Sequence, residues 1–145
     1  MEMTFSRKFL NVAGILDYIV GGLILFPAVI VTASGIYIMR NPDLALAMPR
    51  DFGDYTVLVA GIALAVGAVF SIVYGRLERA AAKDPAKIMP VWGLSILSVV
   101  LETIGIVISL VQGTPVSEMT YSFVGLAVSI LVLVIANNIK KEAGK

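Results

Sequence analysis

The sequence predicts an all-α integral membrane protein, a left-handed bundle of four transmembrane helices with both ends on the cytoplasmic side. Three observations carry that prediction. The 145 residues are 59% hydrophobic and only 14% charged, with a mean hydropathy of +0.95. Soluble domains carry about 25% charged and about 45–50% apolar residues. The apolar residues fall into four long runs, and the basic residues fall on one side of them. The length suits a single transmembrane domain over residues 1–145.

A helix needs about 20 mostly apolar residues to cross roughly 30 Å of hydrocarbon. The most apolar stretches, 18–39, 55–74, 88–111 and 119–139, sit inside helices expected at about 9–39, 55–80, 88–112 and 117–140. Breaker clusters divide them: Arg40, Asn41, Pro42 and Asp43, then the charged run 76–87, then Gln112, Gly113, Thr114 and Pro115. No run alternates apolar with polar residues, and open strands leave backbone groups unsatisfied in lipid. Arg7 and Lys8 followed by an apolar run and Thr32, Ala33 and Ser34 imitate a signal peptide. The run outlasts an ordinary signal core, so a retained first helix is expected.

Lys and Arg set the orientation. Of the 11 basic residues, only Arg40 and Arg50 lie on one side of the spans. Arg7 and Lys8, then Arg76, Arg79, Lys83 and Lys87, then Lys140, Lys141 and Lys145 lie on the other. The positive-inside rule puts that side in the cytoplasm, which predicts a multi-pass cell-membrane protein with both termini cytoplasmic. The run 76–87 reads as a continuation of the second helix with a solvated face that meets anionic headgroups. Leu44, Leu46 and Met48, in the segment 40–54, are expected on the outer membrane surface.

Each helix carries a stripe of small or polar residues at alternating steps of three and four. The first has Gly14, Asp17, Gly21, Ala28 and Gly35; the second has Gly61, Ala65, Ala68 and Gly75. The third has Ser95, Ser98, Glu102, Gly105, Ser109 and Gln112; the fourth has Ser122, Gly125, Ser129 and Ala136. Steps averaging 3.5 residues hold a stripe on one face of a left-handed bundle. Small residues let backbones approach in lipid, and hydroxyls bond across helices. The stripes are therefore expected inside as helix-packing seams, with Val, Ile and Leu facing lipid or neighbouring chains. Pro27 removes a donor within the first span and crowds the carbonyl of Leu23, which predicts a static kink.

Glu102 carries the most information about function. An ionisable residue near mid-span costs about 2.5–3.5 kcal/mol on insertion scales and is an ion or proton site by default. The competing expectation is a neutral core Glu bonded to a facing Ser or a backbone carbonyl. Asp17 is the second ion or proton candidate, set against a solvated carboxylate at the interface. Counted from helix starts at 1.5 Å per residue, the two carboxylates are offset by about 9 Å, too far to share one ion. Asn137 and Asn138 are expected to help end the fourth helix before Lys140. Trp92, Tyr18, Tyr55, Tyr74 and Tyr121 fall near span ends and read as interface anchors.

Without Cys or His, the chain itself holds no disulfide, no thiolate or imidazole metal site and no Ser-His-Asp triad. No phosphate loop or catalytic constellation is present. No catalytic residue, metal site or cofactor is expected, nor an enzyme. The net charge of +1 predicts no nucleic-acid partner. The expected partners are the lipid bilayer and either further copies of this chain or larger membrane-complex subunits. The leading expectation is a structural or accessory subunit of a homo- or hetero-oligomeric membrane assembly. Two alternatives stand beside it. One is a small oligomeric channel or ion/proton-coupled transporter using Glu102, and the other is a hydrophobic coat protein of a virus-like particle.

Overall fold

The computed structural model describes residues 4–41, 43, 44 and 55–144. Leu46, Met48, Arg50 and Lys145 lie outside the described residues. All regular structure among the described residues is helical: α1 (Phe5–Arg40), α2 (Thr56–Lys83), α3 (Ile88–Val111) and α4 (Thr120–Ala143). Short 3-10 turns at Pro85–Lys87 and Val116–Met119 precede α3 and α4. With those turns, the segments of 36, 28, 27 and 28 residues are each long and apolar enough to cross a membrane. They support a multi-pass membrane protein.

The connections follow from local chemistry. Asp84 stands in extended conformation before Pro85, and its Oδ1 accepts from the Ala86 amide at 3.1 Å, which caps the 3-10 turn. After α3, Gly113 takes a φ of +79°. Its amide donates to the Leu110 carbonyl, and the Thr114 amide donates to the Ser109 carbonyl, both at 3.0 Å. That is a Schellman stop, which needs a residue at ease in the left-handed region. Pro115 follows and cannot continue α3, and the 3-10 turn begins directly after it.

The chain forms two compact units, Ile15–Arg76 and Met1–Gly14 with Leu77–Lys145. In the first unit, α1 and α2 pack antiparallel through their predicted stripes. Gly21, Ala28 and Gly35 of α1 and Gly61, Ala68 and Gly75 of α2 are buried, each set repeating every seven residues. A methyl at Gly35 would stand 2.6 Å from the Leu58 backbone, and one at Gly61 would stand 2.5 Å from the Thr32 amide. At Gly21 it would meet the Ala68 carbonyl and Ile72 at 2.7 Å. These glycines are present because the backbones touch there. Ser71 Oγ donates across the seam to the Asp17 carbonyl at 3.0 Å, whereas Thr32 bonds back to Ala28 of its own helix. The helix runs unbroken through Pro27. Outward lie Leu23, Phe26, Val59 and Val66, all exposed.

In the second unit, α3 and α4 pack antiparallel. Leu10, Ala82, Ile88, Val91, Ile135 and Ile139 are buried in it. Arg7 reaches the end of α2, where its Nε donates to the Ala82 carbonyl at 2.8 Å and its Nη2 to the Lys83 carbonyl at 2.6 Å. A cation at orphan carbonyls is the favourable charge for a helix C-terminus.

Two expectations are corrected. The run 76–87 is not simply a solvated face, because Glu78 is 0% exposed and Ala81 and Ala82 are buried beside it. The seven-residue repeat of α2 carries on from Gly75 to Ala82, so one side of the charged run stays in a core. Nor does α4 end at Asn137 and Asn138; it continues to Ala143. Asn lowers helix propensity by less than about 0.7 kcal/mol, and Lys140 and Lys141 in the last turn suit the helix dipole. The Lys140 Nζ also sits 3.5 Å from the Trp92 ring centre.

Candidate functional site

The predicted stripes of α3 and α4 meet at Glu102. On α3, Ser95 is buried, and Ser98, Glu102 and Ser109 are half-buried. On α4, Gly125 and Ser129 are half-buried and Ala136 is buried. Ser95 Oγ donates to the Val91 carbonyl of its own helix at 2.7 Å. Ser129 Oγ crosses to Glu102 and donates to Oε1 at 2.9 Å. A serine of the neighbouring helix is thus the donor and Glu102 the acceptor.

That bond uses one carboxylate oxygen. Glu102 Oε2 is buried and has no hydrogen-bond partner among the described residues. A buried polar oxygen left in this way costs about 1–3 kcal/mol. The carboxylate borders an open crevice of about 370 Å³ lined by Glu102, Gly105, Ile106, Tyr121, Ser122 and Gly125. Two of these depart from the expected seam. Gly105 and Ser122 are exposed, and a methyl at Gly105 would meet nothing within 4 Å. Gly105 therefore opens space instead of closing a helix contact, and Ile106 takes the buried place on that turn. A methyl at Gly125 would lie 3.7 Å from both Glu102 oxygens. The missing side chains at Gly105 and Gly125 make the crevice.

Glu102 lies about 21 Å along the axis from Ile88 and about 13 Å from Val111, at 1.5 Å per residue. The crevice occupies the half of the pair nearest the 112–119 connection. Tyr121, 91% exposed, and Ser122 are hydroxyl-bearing residues of its lining. Among the described residues, no cation belongs to the lining. Asp17 is half-buried in the other unit and is not a lining residue. The stripes singled out Glu102 and Ser129, but Tyr121 read as an anchor, and only its position against Ser122 and Gly125 brings it to this site.

Comparison with protein-family models, with curated proteins and with solved structures finds nothing that matches this chain.

Proposed function

We propose that this chain is a subunit of an oligomeric cell-membrane assembly in which Glu102 is an ion or proton site. One observation carries the reading. Glu102, a mid-span carboxylate, keeps one buried oxygen without a hydrogen-bond partner among the described residues and lines an open crevice. A carboxylate at such depth marks an ion or proton path more often than it marks packing. Four helices are few to enclose such a path, so the assembly holds further copies or other chains. The helices form a left-handed bundle, and the basic segments place both termini in the cytoplasm.

Native mass spectrometry after gentle extraction is expected to give a mass above the 15.4 kDa of one chain. Vesicles holding the wild-type assembly are expected to pass protons or monovalent cations, and Glu102→Gln is expected to abolish that flux. Unchanged flux in Glu102→Gln would sink the role of this carboxylate.

A purely structural or accessory subunit is the second reading. The glycine seam of α1 and α2 favours it, since backbone fills the space beside Gly21, Gly35 and Gly61. Partner polypeptides in the native mass, with no flux in either form, would favour this reading over the first.

A further inference from the structure

We propose that the Glu102 crevice binds a protonated primary amine carrying a compact apolar body. The inference rests on the reading of Glu102 as a binding carboxylate and goes further by naming the ligand class. A bare metal ion fits poorly. Calcium takes six to eight oxygens and magnesium six, whereas the described residues that line this crevice include one carboxylate, Glu102, and two hydroxyl side chains, Tyr121 and Ser122. Among the described residues, no group of three or more His, Cys, Asp or Glu stands together to hold a metal. The volume of about 370 Å³ greatly exceeds one ion and falls in the range of small-molecule pockets.

The remaining walls are Gly105, Ile106 and Gly125, with the Tyr121 ring at the edge. An ammonium group supplies what Glu102 Oε2 lacks, a donor bearing positive charge, and such charge-assisted bonds are about twice as strong as neutral ones. Ser129 already occupies Oε1 and Oε2 is buried, so the ammonium is received by a turn of the carboxylate that brings Oε2 to the crevice. The apolar body then lies along Ile106 and the two glycines, and the Tyr121 ring is expected to turn its face to the cation. A quaternary ammonium has no N–H and cannot make the central bond.

The test is titration of 2-phenylethylammonium into the full chain in nanodiscs of zwitterionic lipid, with empty discs as baseline and benzyltrimethylammonium as comparison. Saturable binding above the baseline is expected for the primary amine, weaker by about tenfold or more for the quaternary one. Glu102→Gln is expected to weaken binding similarly, and Gly125→Leu to remove it by filling the crevice. A second measurement uses the wild-type chain only. Dicyclohexylcarbodiimide adds to a carboxyl with no leaving group, and peptide mass mapping reads its attachment to Glu102. The primary amine is expected to lower that attachment in a saturable way with no Glu102 amide formed; such an amide, made when the amine attacks the activated carboxyl and dicyclohexylurea leaves, counts as no protection. No saturable binding, equal binding of both cations, or no protection would each overturn the proposal. Amine binding in a chain that passes no ions would support it while removing the transport reading; ion flux without amine binding would do the reverse.

Discussion

At the scale of single residues, the Ser129–Glu102 hydrogen bond makes a definite claim about stability. Interhelical hydrogen bonds in membranes average about 0.6 kcal/mol, with a maximum near 1.7, but leaving a buried acceptor unpaired costs about 1–3 kcal/mol. Ser129→Ala would strip the donor from Oε1 where Oε2 already lacks one. It is expected to destabilise the chain by about 1–2 kcal/mol, read by reversible unfolding in mixed micelles. Glu102→Gln keeps an acceptor for Ser129 and is expected to cost less. In Glu102→Leu the acceptor is gone, so adding Ser129→Ala is expected to cost little more. Equal effects of Ser129→Ala in both backgrounds would show that the two side chains are not coupled.

At the scale of helices, the α1–α2 seam sets two magnitudes against each other. Gly→Ala inside a helix gains about 1 kcal/mol of propensity. Forcing an extra carbon into a full contact costs about 1–3 kcal/mol. At Gly61 the added carbon would stand 2.5 Å from the Thr32 backbone, whereas at Gly67 it would meet nothing within 4 Å. Gly61→Ala is therefore expected to lower the thermal midpoint in detergent, and Gly67→Ala to leave it unchanged or raise it. A midpoint for Gly61→Ala at or above wild type would mean that the seam is looser than its geometry. Arg7 acts at the same scale: its two bonds close the end of α2 from a residue 75 or more positions away. Lys in its place has no planar fork and is not expected to replace both bonds.

At the scale of the whole molecule, the lack of native Cys makes topology directly measurable. Single cysteines at Lys83, Glu118 and Lys141 are to be labelled in intact cells with a membrane-impermeant maleimide. Labelling is expected at Glu118→Cys and protection at Lys83→Cys and Lys141→Cys, with all three labelled after permeabilisation. The reverse pattern would invert the proposed orientation. Much of the architecture was legible beforehand, because lipid imposes few rules and the chain obeys them. Long apolar runs become helices since no other spanning segment satisfies its own backbone. Gly21, Ala28 and Gly35 stand seven apart, and that period alone puts them on one face, where the structure buries them. Glu102 stood out for its depth and Ser129 for its place in a stripe. The sequence by itself therefore determined the helices, their buried faces and the residue most in need of explanation. Only the tertiary structure decided what each polar group meets. It buried Glu78 inside a charged run, assigned Ser129 to one oxygen of Glu102, and left Gly105 beside open space instead of a helix. The physical reason is that periodicity fixes which face a residue occupies, whereas pairing depends on the register and separation of two helices, which no single stripe encodes.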